Sequence, residues 1–421
     1  MSVDDDVNGR FSHWKRNFLL LILDSTVFMT AVSLSDVSIL SVFMVKATGS
    51  TFLAGIFQMI RVAVFFFPQL LSINIGGRPY KKSIFVKWTI LGRTCLLVAI
   101  LVTFLTQNLS LIVLSFFVSF SLFPLFDGFT VVPWLEFVVK SIPPTKRGTF
   151  FGLSQGLGAV GMIISGFLVS ILLNAPYLVF PRNYGMLVLV EAVLMLVGVV
   201  FLISLREIPD VLTVDNVSLL DRIKAIPRII RENATIRRLI LIQLLLSCYS
   251  ISTPFYSLFA VTQLGVDDGL IGHFLVYQMV GRLVSSYPWA YFCNRAQNKK
   301  LLQCAGFMML FSLFLALSAG VSYAANIQWK NLILPVMFFL YGASISGIFL
   351  GFNNYVMGLT DRRYRPVLLG TMNALYIVTS ILPVLGGIII EYLSYELLFI
   401  ASIVPVCSSL LLTHGLRQKL E

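Results

Sequence analysis

Charged residues are scarce in this chain of 421 amino acids. Asp, Glu, Lys and Arg together make up 12% of the sequence, and hydrophobic residues make up 57%. Soluble domains carry about a quarter charged residues, so this composition cannot cover a water-exposed surface. It excludes an ordinary soluble protein and predicts that lipid is the solvent for most of the chain.

Cysteine and histidine are also rare, with five and three copies. The cysteines lie in or beside apolar segments and form no CxxC pair, which disfavours disulfides, and the scattered histidines disfavour a zinc site. The phosphate-binding pattern GxxxxGK[ST] does not occur, which argues against direct ATP drive. We therefore expect no enzyme activity, no cofactor and no bound metal.

Apolar segments of about 20 residues recur along the chain and predict an all-α membrane protein. Cations lie in short clusters between these segments, so the net charge of +12 does not indicate nucleic-acid binding. Twelve transmembrane helices are predicted, at residues 17–45, 50–75, 82–106, 109–133, 150–173, 184–204, 237–260, 267–293, 300–321, 331–357, 366–392 and 395–414.

The distribution of Lys and Arg sets the orientation. With the N-terminus inside, the inner segments hold 24 of the 31 cations, the outer segments hold three, and four lie at membrane depth. Because cytoplasmic loops carry an excess of cations, both termini are predicted to be cytoplasmic. The acidic N-terminus has no small-residue cleavage site and reads as a cytosolic tail. We expect a multi-pass protein of the cell membrane, in a bacterium the inner membrane.

Three features recur 218 residues apart and predict two pseudo-symmetric six-helix bundles. They are Lys81-Lys82 with Lys299-Lys300, Arg147 with Arg365, and Gly152 with Gly370. The predicted domains are an N-terminal half at 1–205, a cytoplasmic linker at 206–236 with an amphipathic helix, and a C-terminal half at 237–421. Parallel repeats of this kind predict a solute site near the membrane midplane, between the halves.

At this point the chain resembles the major facilitator superfamily, whose signature loop after the second span has the form D-R-x-G-R-K-K. The loop after the eighth span reads Asn294-Arg-Ala-Gln-Asn-Lys299-Lys300, and the loop after the second reads Gly76-Gly-Arg-Pro-Tyr-Lys81-Lys82. Both lack the acidic residue that helps to lock the inner side in the family. Through this resemblance we assign gating loops to Arg78, Lys81, Lys82, Arg295, Lys299, Lys300, Glu136 and Arg147.

Within the superfamily, short stretches resemble a bacterial, mostly uncharacterised branch that brings no substrate with it. They are Leu23-Asp24-Ser25, Pro68-Gln69-Leu70-Leu71, Pro133-Trp134-Leu-Glu136 and Lys146-Arg147-Gly148. The resemblance implies a secondary transporter that works by alternating access.

Ionisable side chains inside a span are costly unless paired or hydrated, so each one is a functional candidate. Asp24 and Asp127 lie at similar depth in the first and fourth spans, where they could share a proton or bind a cation. The alternative for Asp24 is a hydrogen bond to neighbouring backbone or an ion pair with a cation of its own half. Asp36 and Arg61 lie at matching depth in the first and second spans. They are expected either to pair or to bind proton or solute. The proton-coupling candidates are Asp24, Asp127 and Asp36.

Two arginines, Arg93 and Arg282, fall near the bilayer centre of the third and eighth spans. A guanidinium stays charged, so each needs an anion. For Arg93 this is Asp127, Asp36 or a substrate, while Arg282 has no evident acidic partner in its own half. The candidate substrate-binding residues are Arg282, Arg93, Arg61, Gln278, Asn373 and Tyr376.

The leading hypothesis is a proton-coupled secondary transporter of a small organic solute, preferably anionic or zwitterionic. Its partners are the solute, protons and the lipid bilayer, and it is expected to be a monomer. One alternative is an exporter of lipophilic compounds or lipids. An alternative of another class is a non-transporting membrane receptor or assembly protein with the same fold.

Overall fold

A computed structural model describes residues 13–71, 80–207, 231, 233–324, 330–359, 372 and 374–416, and the regular elements in these ranges are all helical. The helices of the first part are α1 Trp14–Ser33, α2 Val37–Thr48, α3 Thr51–Leu71, α4 Lys82–Leu105, α5 Leu109–Ser141, α6 Pro144–Leu173 and α7 Arg182–Ile203. Those of the second part are α8 Ala234–Ser247, α9 Tyr256–Thr262, α10 Leu270–Asn294, α11 Asn298–Ala324, α12 Lys330–Leu359, α13 Leu382–Tyr392 and α14 Tyr395–Thr413.

Eleven helices in the described part of the chain are long and apolar enough to cross a membrane. The predicted eighth span is present as α10, a helix of 25 residues, but it is not among the eleven. Gln278 and Arg282 lower the hydropathy of this helix at its centre. The count of twelve spans, like the orientation of the termini, remains a prediction.

The predicted first span is two helices rather than one. α1 ends at Ser33, and α2 begins at Val37 after a break. Asp36 is the N-cap of α2, and its carboxylate accepts hydrogen bonds from the Ser38 backbone N–H at 3.0 Å and the Ser38 hydroxyl at 2.8 Å. A carboxylate in this position stabilises the exposed N–H groups of the new helix. The break lies in the polar stretch Ser33-Leu34-Ser35-Asp36, which the prediction of one uninterrupted span over residues 17–45 passed over.

Other spans are broken or longer than predicted. α8 is followed by 3₁₀ turns at Cys248–Ile251 and Thr253–Phe255 before α9 begins. In contrast, α5 continues to Ser141 through Pro124 and Pro133, where the prediction ended at residue 133. Neighbouring helices and local adjustments tolerate proline inside such helices. α6 begins at Pro144, not at residue 150.

The chain divides into two compact units, which are described separately. The first unit comprises residues 1–35, 61–165 and 175–219, and the second comprises 36–60, 166–174 and 220–421. A core of large apolar side chains packs the first unit; its buried members include Leu21, Phe85, Phe137, Phe150 and Leu202. The predicted amphipathic helix of the linker lies outside the described residues.

Candidate functional site

A buried ion pair joins α1 to α4 in the first unit. The guanidinium Nη2 of Arg93 lies 3.4 Å from the Asp24 carboxylate, and Arg93 Nη1 donates to the Met195 carbonyl of α7 at 2.6 Å. The two side chains are 4% and 7% exposed. Asp24 therefore pairs with a cation of its own half, a partner for Arg93 that the sequence did not single out.

The close approach of α7 to this pair requires a glycine. A Cβ atom at Gly198 would lie 2.6 Å from Arg93 Nη1 and 2.8 Å from the Asp24 carboxylate. Gly198 follows Met195 on the buried face of α7. The absent side chain at Gly198 thus leaves the room in which Arg93 reaches both Asp24 and the Met195 carbonyl.

Asp127 completes a group of three charges in the first unit. It lies within electrostatic reach of both Asp24 and Arg93. Thr130, one turn further along α5, places its hydroxyl 3.5 Å from the Asp127 carboxylate. The predicted candidates Asp24, Asp127 and Arg93 are therefore brought together, with two carboxylates around one guanidinium.

Arg61 and Asp36 each make other described contacts. Arg61 donates to the Ser35 carbonyl at 3.1 Å, and its guanidinium lies 5.1 Å from the centre of the Phe120 ring. The Asp36 carboxylate caps α2 through Ser38. Arg61 therefore holds the backbone after α1, and Asp36 stabilises the start of α2. The predicted roles of both residues in binding stay predictions.

Arg282 on α10 has a different environment, in the second unit. Among that unit's described residues no carboxylate lies within ion-pair distance of it, and its buried Nε has no hydrogen-bond partner. The hydroxyl groups of Tyr249 and Tyr341 interact electrostatically with its guanidinium, and Tyr376 lies within reach of Tyr249. We call these four residues the Arg282 cluster. It offers a planar cation and phenol hydroxyls, which suit a carboxylate, phosphate or hydroxyl group.

Two of the tyrosines in this cluster, Tyr249 and Tyr341, were missed by the sequence reasoning. The chain has 15 tyrosines, and nothing in the local sequence marks these two. Gln278 is buried where α10 crosses α12, and its backbone lies directly against Gly342. Asn373, another predicted substrate contact, lies outside the described residues.

The start of α4 is anchored by an acidic residue from a distant part of the chain. The Glu207 carboxylate accepts from the backbone N–H groups of Lys81 at 2.7 Å and Lys82 at 2.8 Å, and it pairs with Lys140 at 3.1 Å. Lys81 itself pairs with Glu136 at 3.2 Å. Glu207, beyond the end of α7, thus holds the start of α4 within the first unit.

The remaining gating candidates make individual contacts. Arg147 donates to the carbonyls of Ile142 and Val139. In the second unit Lys299 donates to the His414 carbonyl at 2.7 Å, and Arg295 lies 4.3 Å from the centre of a tyrosine ring. Lys300 is exposed, and Arg78 lies outside the described residues. These contacts do not test a gating role.

Replacing Glu207 with alanine should destabilise the protein by about 3 kcal/mol or more, because two helix N–H groups and a buried Lys140 lose their acceptor. Glu136→Ala is the matched control. The Glu136 side chain is 36% exposed and makes one ion pair, so its loss should cost about 1 kcal/mol or less. Thermal unfolding in detergent measures both. Equal losses in the two variants would contradict this role of Glu207.

A second set of contacts lies within the second unit, at the start of α3. The exposed Glu391 carboxylate accepts from the Ser50 hydroxyl at 2.7 Å and the Phe52 N–H at 3.0 Å. The Thr51 hydroxyl donates to the Gly387 carbonyl at 2.7 Å. Lys46, shortly before Ser50 in the chain, forms an ion pair with Asp268. Glu391 therefore supplies both a cap for α3 and a link from α3 to α13.

Glu391→Gln should speed hydrogen exchange of the amides in residues 50–55, because a neutral amide is a weaker acceptor for N–H groups at a helix start. Glu396→Gln, on α14, is the control and should leave exchange in this peptide unchanged. Mass spectrometry of the exchanged peptides gives the result. Unchanged protection in Glu391→Gln would show that the link does not hold α3.

Among the described residues, no group of three or more His, Cys, Asp or Glu side chains is arranged to hold a metal ion. The candidate groups are therefore the three-charge set of the first unit and the Arg282 cluster of the second.

Comparison with sequence families identifies the second part of the chain. Residues 239–417 match the family model of the Major Facilitator Superfamily. The resemblance predicted from the loop motifs is therefore confirmed. No curated protein sequence matches the chain.

Solved structures of similar fold are transporters. A bacterial homologue of the iron transporter ferroportin, in its inward-facing state, has a TM-score of 0.71 and 16% identity, covering 95% of this chain and 98% of its own. A D-xylose-proton symporter has a TM-score of 0.68 and 13% identity, covering 96% and 98%. The nucleoside transporter NupG has a TM-score of 0.67 and 15% identity, covering 95% and 98%. At these identities the comparison establishes the fold of a multi-pass membrane protein.

Proposed function

We propose that this chain is a secondary transporter that moves a small organic solute across the cell membrane by alternating access, coupled to protons. The observation that carries the proposal is the Arg282 cluster: an arginine in a predicted span with no carboxylate partner in its own unit, beside two tyrosine hydroxyls. A cation placed in this way favours a ligand that brings the missing negative charge. The cluster lies in the segment that matches the Major Facilitator Superfamily.

The proposed topology has twelve spans, with both termini in the cytoplasm. α10 is the span that hydropathy alone does not support, and we propose that it crosses the membrane because the alternation of basic inner loops requires a span there. A protein of this kind works as a single chain in the lipid bilayer. The similarity of its fold to transporters favours transport over catalysis.

The proposed solute is anionic or zwitterionic. Arginine offers a planar fork that binds a carboxylate or phosphate through two parallel hydrogen bonds, and a tyrosine hydroxyl accepts or donates a third. Gln278, on the same helix four residues before Arg282, is proposed to add a polar contact. Arg93 contributes less in this scheme, because Asp24 already occupies part of its guanidinium.

Proton coupling is assigned to the three charges of the first unit. Two carboxylates around one arginine cannot both be neutralised by it, so one of them is the natural place for a transported proton. Asp24 and Asp127 are the two candidates. Asp36 is a weaker one, since its carboxylate already caps α2.

A thermal-shift screen on purified protein is the first test, because a solute that binds only the folded state raises the apparent stability. The panel should contain small carboxylates, amino acids and phosphorylated metabolites. It should also contain nucleosides, D-xylose and iron, since the structurally similar proteins are described as a nucleoside transporter, a D-xylose-proton symporter and a homologue of an iron transporter. Stabilisation by an anionic or zwitterionic solute, absent in Arg282→Gln, is expected. Stabilisation by neutral solutes alone would reject the proposed solute class.

A further inference from the structure

A second buried acid, Glu191, is not accounted for by the three-charge set. It lies on α7 with no exposed surface. One carboxylate oxygen, Oε1, accepts a hydrogen bond from the Ser35 hydroxyl at 2.9 Å. The other, Oε2, is buried and has no hydrogen-bond partner among the described residues. A buried carboxylate oxygen without a donor is costly, which favours a form that carries a proton.

The partner of Glu191 lies at the break in the first span. Ser35 follows the end of α1, and α2 begins two residues later. The Ser35 hydroxyl binds Glu191, while the Ser35 carbonyl accepts from Arg61 at 3.1 Å. One residue of the break is therefore held at its side chain by an acid and at its backbone by a cation.

Glu191 also shares a face of α7 with the residues that contact the three-charge set. Met195 and Gly198 follow it on the buried side of the helix. At 1.5 Å per residue, Gly198 lies about 10 Å from Glu191 along the axis. The Met195 carbonyl holds Arg93, and Gly198 makes room for it. A change at Glu191 thus acts on the same rigid helix that positions Arg93.

Within the part of the chain that the structure describes, few charged groups face Glu191. From α3, Arg61 interacts with it electrostatically. Asp24 of α1 and Arg93 of α4 form an ion pair with each other, beside a later turn of α7. The environment of Glu191 therefore contains one nearby cation, which favours its ionised form, and a dry surrounding, which opposes it.

We propose that Glu191 is a second proton-binding residue, and that its protonation changes the hydrogen bond to Ser35 and so the local stability of the chain that follows α1. This inference rests on the proposed transport function for its purpose. Whether Glu191 binds a proton can be measured without any transported solute. Ionised, the carboxylate only accepts; protonated, it gains an O–H donor and binds Ser35 more weakly.

The test is infrared difference spectroscopy across a pH titration of full-length protein in lipid nanodiscs, with the proton as the ligand. Wild-type protein should show a protonated-carboxyl band that titrates and is absent in Glu191→Gln. Hydrogen exchange at residues 31–38, corrected for intrinsic rates, should change with the same titration in wild type and not in Glu191→Gln. A band kept in Glu191→Gln, or a pH response that persists at the break, would overturn the proposal.

A further variant covers the case in which Glu191→Gln does not fold. Ser35→Ala keeps the acid but removes its hydrogen bond to the break, so the band should remain while exchange at residues 31–38 no longer follows it. Exchange that still follows the band in Ser35→Ala would contradict the proposed link. Neither measurement involves a solute, so both can be interpreted even if the transport assays fail. A negative result for Glu191 would, in turn, leave the proposed transport function unaffected.

Discussion

Replacing Arg93 with methionine is expected to destabilise the protein by about 3–5 kcal/mol, because it leaves the Asp24 carboxylate buried without its cation. The side chains of both partners are less than a tenth exposed. The Met195 carbonyl would also lose its donor. Thermal unfolding of the purified protein, followed by circular dichroism, measures the change as a lower midpoint temperature.

The double variant Asp24→Asn/Arg93→Met separates charge from packing. If the cost comes from an uncompensated buried charge, removing both charges should restore more than half of the lost stability. Lys87→Met is the control, since Lys87 is exposed on the same helix, α4. An Arg93→Met protein as stable as wild type, or a double variant no better than the single one, would show that the pair does not stabilise the first unit.

Replacing Arg282 with glutamine should weaken binding of an anionic solute by about 30-fold or more, since loss of a buried charge partner costs about 2–5 kcal/mol. Arg282→Lys should restore only part of this affinity, because lysine lacks the planar fork. Tyr341→Phe and Tyr249→Phe should have smaller effects, of about 1 kcal/mol each. Isothermal calorimetry with the solute found by thermal shift provides the numbers.

Arg295→Gln is the matched control for Arg282→Gln. Arg295 follows the same helix, is exposed, and lies over the Tyr291 ring. Its removal subtracts the same charge without touching the Arg282 cluster. Equal affinity of wild type and Arg282→Gln would reject the anion site. An equal loss in Arg295→Gln would assign the effect to net charge.

The charged candidates were the easiest features to find from sequence. Arg93 and Arg282 stand out because a cation inside an apolar run has few explanations. The helix of Arg93 follows from hydropathy, while the span that carries Arg282 was predicted chiefly from the alternation of basic loops. What the sequence left open was pairing. Arg93 had several possible partners, and only the packing of α1 and α4 against α7 brings Asp24 to it.

Features set by contacts between distant segments were missed. Glu207 lies past the last apolar residue of α7, and its partners Lys81 and Lys82 lie more than 120 residues earlier in the chain. Tyr341 looks like any other aromatic residue in a span, because only its interaction with Arg282 in the folded protein distinguishes it. The break before Val37, in contrast, was marked locally by Ser33, Ser35 and Asp36, and the interpretation of residues 17–45 as one span passed over this signal.

Uptake into proteoliposomes, with and without a pH gradient, tests most directly whether this chain is a proton-coupled transporter. With the solute identified by thermal shift, wild-type protein should accumulate it only when a gradient is imposed. Asp24→Asn or Asp127→Asn should abolish that accumulation while solute exchange without a gradient persists. Uptake that does not depend on the pH gradient, and that is unchanged in Asp24→Asn and Asp127→Asn, would contradict proton coupling. A solute that binds but never crosses the membrane would contradict transport itself.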